Sequence, residues 1–154
     1  MNRKDLKDYK YNQEWIKGRI EYIEEYRSTI NKLVTTLSDM PKGSRTIYDN
    51  EAEKITKLQD NIKDLLLYIN EEQEKQKLIL EQLNKVEQPY KVILEKIYIC
   101  GKSIVTVASE MNYEYKYMCK QHGIALNKFD ELDDKRGWIT TLTADIIYNS
   151  KQVR

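Results

Sequence analysis

The chain reads as an all-α protein, a long antiparallel and coiled-coil-like helical hairpin followed by a helix-turn-helix unit and a short C-terminal tail. Three observations carry that expectation. Apolar residues recur at three- and four-residue intervals over two long stretches before residue 88, the pattern of helices packed lengthwise. Five Gly and two Pro in 154 residues are too few to punctuate a strand-rich fold, while 33% of residues are charged. Between Pro89 and Phe129, three short helical patterns are separated by two tight turns.

The first helix begins its stripe at Leu6 and runs through Tyr9, Gln13, Ile16, Ile20, Ile23, Arg27, Ile30, Val34 and Leu37, interrupted only by Gln13 and Arg27. At about 1.5 Å per residue it extends roughly 50 Å. Pro41, Gly43, Ser44 and Asp49-Asn50 mark the loop that follows. A second helix carries Ala52, Ile55, Leu58, Ile62, Leu65 and Ile69 as its seam and most simply packs antiparallel to the first. This seam is longer than a monomer of this size needs, which predicts a homo-oligomer, with a dimer favoured. The seam fails over Glu71–Lys77, where every residue is polar yet helix-forming, and returns at Ile79, Leu80, Leu83 and Val86. Either one continuous helix or two joined at a hinge fits this pattern.

Pro89 suits a first helical turn, and Ile93, Leu94, Ile97 and Tyr98 then share one face until Gly101 stops the helix. Ser103 is placed to cap the next helix, whose apolar stripe is Ile104, Val107, Ala108 and Met111. Ala108 sits where two helices crossing at close range leave room for little more than a methyl group. Asn112 occupies the turn position that favours a left-handed backbone, where Asn is the best non-glycine choice. The third helix, Glu114–Asn127, buries Met118, Ala125, Leu126 and, just beyond it, Phe129, leaving Tyr115, Lys116, Cys119 and Lys120 outward. Beyond Leu132 an acidic cluster leads into a β-branched tail for which helix is preferred over strand. The expected divisions are 1–88 for the oligomerising hairpin, 89–132 for the helix-turn-helix and 133–154 for the tail.

Net charge is +1 and the isoelectric point about 7.6, so bulk charge does not announce a polyanionic partner. Local charge is more telling, because residues 89–129 carry six Lys against three Glu. Cys100 and Cys119 form no paired motif, and the first residues lack an apolar signal core, so a reducing, cytoplasmic location is expected. No apolar run approaches the length needed to cross a bilayer.

Catalytic chemistry finds little purchase. Gly101-Lys102-Ser103 ends like a phosphate-binding loop, but Lys96 stands where that motif needs Gly, and a turn plus helix cap accounts for the residues. His122 is the sole histidine, so no metal cluster, cofactor or catalytic dyad is expected around it, and packing beside Tyr98 or contact with a phosphate fits better. Asp133 and Asp134 read as a solvated charge run. Tyr113 is expected in the core, and Tyr115 is the best placed of the nearby tyrosines for a partner.

Ser103-Ile104, Val107-Ala108, Met111-Asn112-Tyr113-Glu114, Met118 and Ala125-Leu126 together resemble the region-4 helix-turn-helix of bacterial sigma factors. Met40-Pro41-Lys42-Gly43-Ser44, Tyr90, Leu94, Tyr98-Ile99, Gly101-Lys102-Ser103 and His122-Gly123-Ile124-Ala125-Leu126 resemble small prophage proteins that include late-gene transcriptional activators of the RinA and ArpU kind. The likeness spans roughly Asp8 to Leu132. Glu114, Gln121 and Ile97 depart from the pattern, standing where a Ser or Thr cap, an apolar residue and an Arg are common. The resemblance implies a regulator that binds double-stranded DNA and activates a promoter, with RNA polymerase as a second partner. The DNA-contacting residues it suggests, with the exposed face, are Lys102, Tyr115, Lys116, Cys119, Lys120 and Lys128. A DNA-packaging adaptor resembling small terminase subunits, and a protein-binding module without DNA affinity, are the alternatives.

Overall fold

The computed structural model describes residues 1–41 and 45–152, with side chains described for 1–41 and 45–133. Every element among them is helical: α1 (Arg3–Ser38), α2 (Arg45–Asn84), α3 (Tyr90–Leu94) with a π-helical turn over Glu95–Ile99, α4 (Ile104–Glu110) and α5 (Tyr115–Gln152). The loop motif at Met40–Ser44 is described only through Pro41, and Lys42–Ser44 lie outside the described residues.

α1 starts three residues before its first seam residue because Asn2 and Asp5 cap it reciprocally. The Asn2 side-chain oxygen accepts from the Lys4 and Asp5 amides at 2.8 and 3.2 Å, and Asp5 accepts from the Asn2 amide at 2.8 Å. α2 continues unbroken through the polar stretch Glu71–Lys77, so the continuous-helix alternative is the one observed.

The chain forms two compact units, Tyr11–Lys75 and Met1–Lys10 together with the residues from Gln76 onward. These divisions do not follow the boundary expected at residue 88. The change falls inside the polar stretch of α2, where no apolar side chain is available to continue a seam. In the first unit α1 and α2 lie antiparallel, Ile16 and Ile23 meeting Ile62 and Ile69, with Tyr26, Ile30 and Leu65 packed against them. Two members of the anticipated α1 stripe, Ile20 and Val34, remain exposed at 41% and 47%.

The second unit has two apolar clusters. One joins Leu6 and Tyr9 of α1, Ile79 and Leu83 of α2 and nearby Val86, Leu94 of α3, and Ala125, Leu126 and Phe129 of α5. The other joins Ile93, Val107, Ala108 and Met118. Adjacent residues Ile93 and Leu94 thus wedge α3 between the clusters, and full burial of each such side chain contributes about 1.5–3 kcal/mol. The π turn extends this wedge. Its wider winding brings Ile99, five residues after Leu94, back to the first cluster, and the Cys100 amide bonds Glu95 O at 3.0 Å to close the turn.

Gln82 is a polar residue inside the first cluster, fully buried, where its amide donates to the carbonyls of Met1 and Phe129 at 2.7 and 2.8 Å. α5 does not end near Phe129. Its helical backbone runs to Gln152, so the expected separate tail is a continuation of the same helix, in line with the helical preference. The acidic cluster does not break it, because Asp130 is held by Arg3 and Asp133 by the Met1 amino group. The side chains around Trp138 lie outside the described residues.

Candidate nucleic-acid interface

Local chemistry fixes the helix-turn-helix. Gly101 adopts φ +70°, where a side chain would be strained, and the Lys102 amide folds back to Lys96 O at 3.0 Å. Ser103 then caps α4, its hydroxyl accepting from the Thr106 amide at 3.1 Å. Val107 and Ala108 are buried, with Ile104 and Met111 packed at the edge of the same cluster. Asn112 is left-handed at φ 54°, and the Tyr113 amide bonds Ala108 O at 2.8 Å, which closes the turn tightly enough to bring α5 back across α4. Tyr113 packs against this cluster and meets Tyr117 edge-on at 5.1 Å.

α5 begins with the Met118 amide bonded to Glu114 O at 2.9 Å, and Met118 is fully buried. Gln121, at a position where an apolar residue is common, is buried as well. On the opposite face Tyr115, Lys116 and Lys120 are exposed and Cys119 is half-exposed. Spacings of one, four and five residues put these four on one continuous helical surface. Interaction with Cys119, chiefly a hydrogen bond, pushes the Tyr115 hydroxyl above its ordinary value. Among the described residues Lys116 and Lys120 have no carboxylate partner, so both charges are available to a polyanion.

The other two expected contact residues are differently placed. Lys102 pairs with Glu110 at 2.6 Å, and Glu110 also receives Lys96 at 2.5 Å. The hydrogen bond raises the Lys102 ammonium, and both lysines lower the Glu110 carboxyl. Lys128 pairs with Glu87 and lies 5.2 Å from the centre of the Tyr90 ring. A phosphate would have to displace a carboxylate at either position. The structure therefore brings together four of the six residues on one helical face and leaves Lys102 and Lys128 engaged in ion pairs.

His122 sits at the edge of the buried face of α5. Its Nε2 hydrogen-bonds the Tyr98 hydroxyl at 2.8 Å, and the two rings stack at 5.8 Å. Burial, helped by the nearby Lys7 ammonium, lowers its basicity and favours the neutral imidazole. Burial also raises the Tyr98 phenol. This is the packing role expected beside Tyr98.

Sequence reading missed the part played by α1. Arg3 donates to Asp130 through its backbone amide at 2.8 Å and through Nε at 2.5 Å, while Nη2 reaches Asn127 at 2.8 Å. These contacts span more than 120 residues, and no local signal could have found them. Among the described residues no group of His, Cys, Asp and Glu is arranged to hold a metal ion, and no helix is long and apolar enough to cross a membrane. Compared with family models, with curated proteins and with solved structures, the chain matches none.

Proposed function

We propose that this protein is a DNA-binding transcriptional regulator in which α5 enters the major groove and the long helices mediate self-association. The supporting observation is the exposed face Tyr115, Lys116, Cys119 and Lys120 at the start of α5, presented by a short helix and a tight left-handed turn. An α-helix fits the major groove, and residues near its N-terminal end reach base edges in this type of unit. Lys116 and Lys120 supply charge to phosphates, and the Tyr115 ring and hydroxyl supply contact to bases or backbone. The resemblance to sigma region 4 and to prophage late-gene activators extends the proposal to a promoter activator working beside RNA polymerase in a bacterial cytoplasm.

Self-association draws support from the unit of residues 11–75. Trp15 and Tyr22 flank Arg19, whose guanidinium lies 5.0 and 5.6 Å from their ring centres, and Leu66, Leu67 and Tyr68 of α2 are exposed. Such side chains are candidates for burial against a second copy.

The test is a mobility shift with duplex DNA at low salt, comparing the unaltered chain with Lys116→Glu/Lys120→Glu. The reading requires a shift for the first and none for the second, with identical helical circular dichroism. Equal shifts for both would refute it.

A further inference from the structure

We propose that the first turns of α1 belong to the DNA interface, with Lys7 and Lys10 contacting phosphates of the strand that borders the groove entered by α5. The proposal rests on reading α5 as the recognition helix. Arg3, Lys7 and Lys10 follow one another at four- and three-residue spacing and so share one flank of α1. Arg3 meets Asp130 and Asn127, and Lys7 lies near enough to His122 for its charge to act on the imidazole. Four residues forward along α1 thus correspond to five to eight residues backward along α5, and the two helices run antiparallel on this flank. Lys10 lies one turn further along this flank. Its side chain lies across Gly101, in the turn that leads into α4, with Nζ 2.9 Å from where a Cβ would stand.

Arg3 is consumed by its carboxylate, but Lys7 and Lys10 are exposed, and neither has a carboxylate partner among the described residues. They join Lys116 and Lys120 as cations of the same unit that have no carboxylate partner among the described residues. The scale of the duplex suits them. Packed helices lie about 8–10 Å apart, axis to axis, and the major groove is about 12 Å wide. Side chains on the helix beside the recognition helix therefore stand over the groove's edge, where the phosphates are. The start of α1 is also pre-organised by its Asn2–Asp5 cap, by Arg3 and by the burial of Leu6 and Tyr9, so little ordering opposes contact.

The experiment is a salt titration of binding to a fluorescein-labelled random-sequence duplex, followed by anisotropy with the full chain. Each phosphate contact contributes about −0.9 to the slope of log affinity against log salt, so Lys7→Gln/Lys10→Gln should make the slope shallower by about 1.8. Each single variant should account for about half of that change. Lys32→Gln/Lys63→Gln removes the same charge from the unit of residues 11–75 and should leave the slope unchanged, while Lys7→Arg/Lys10→Arg should retain it. A wild-type slope in Lys7→Gln/Lys10→Gln, or an equal loss in Lys32→Gln/Lys63→Gln, overturns the inference while the recognition-helix reading stands. Failure of the unaltered chain to bind any duplex removes both.

Discussion

Ala108 is the tightest point of the helix-turn-helix, and replacing it is the sharpest test of how that unit is packed. The residue is 4% exposed and clustered with Ile93, Val107 and Met118, and its carbonyl accepts the amide that closes the turn. Ala108→Ser changes little volume and should cost on the order of 1 kcal/mol, mostly for burying a hydroxyl. Ala108→Leu forces extra carbon atoms into filled space at about 1–3 kcal/mol, which in a chain of this size lowers the melting temperature by roughly 2–12 °C. Ala108→Glu must bury a carboxyl or drive α4 from α5, at several kcal/mol out of a total of roughly 5–15. Melting followed by circular dichroism, with trypsin cleavage after Lys116 as a local probe, should rank the variants Ser, Leu, Glu. An Ala108→Glu chain that melts and resists trypsin like the parent would mean that α4 and α5 do not cross at this residue.

Other consequences follow from the same contacts. Deleting residues 1–10 removes Leu6, Tyr9 and the Arg3–Asp130 pair from the second unit, so the deletion should expose residues 89–129 to trypsin under conditions where the parent resists; equal resistance would refute the role given to α1. Because the His122 pKa is lowered on folding, its contribution to stability is fully present above the ordinary value near 6.5 and is lost as pH falls toward the native value. Between about pH 7.5 and pH 5.5 the parent should therefore lose more melting temperature than His122→Gln, and equal losses would contradict the burial argument. Leu67 is 63% exposed, so Leu67→Glu should change monomer stability by no more than about 0.5 kcal/mol yet shift a sedimenting dimer toward monomer. A dimer unaffected by this change would move the interface away from Leu67, and a closed ring would favour the DNA-packaging alternative.

Features of the fold that depend on neighbouring residues were legible in the sequence. Gly101, Ser103 and Asn112 each do what their own chemistry allows, and Ile62 and Ile69 are buried where helical periodicity puts them. Legibility ended where partners are distant. Nothing near Asp130 announces Arg3, so Asp133 reads in the sequence as part of a solvated charge run, whereas in the structure Arg3 holds Asp130 and the Met1 amino group holds Asp133. Gln82 lies between Ile79 and Leu83, and the carbonyls that receive its amide, those of Met1 and Phe129, are 81 and 47 residues away in sequence. The boundary expected at residue 88 follows a change in pattern, whereas the second unit takes part of its core from the first turns of α1 and the last turns of α2. On the candidate interface, exposure of Tyr115, Lys116 and Lys120 could be read from one helix, but the carboxylates facing Lys102 and Lys128 lie on other segments or several residues away.

The central claim is that the outward face of α5 lies in a DNA groove, and Gly123 offers a direct way to test it. Gly123 is exposed, with nothing within 4 Å of the position a Cβ would take, so a side chain there disturbs no packing. An iron–EDTA group attached to Gly123→Cys, in a chain carrying Cys100→Ser and Cys119→Ser, would generate hydroxyl radicals at that face. With duplex fragments bound by the protein, the account predicts strand cuts confined to a short interval inside each protected site. Protected DNA with no cleavage from this position, or cleavage spread evenly along the fragment, would contradict it.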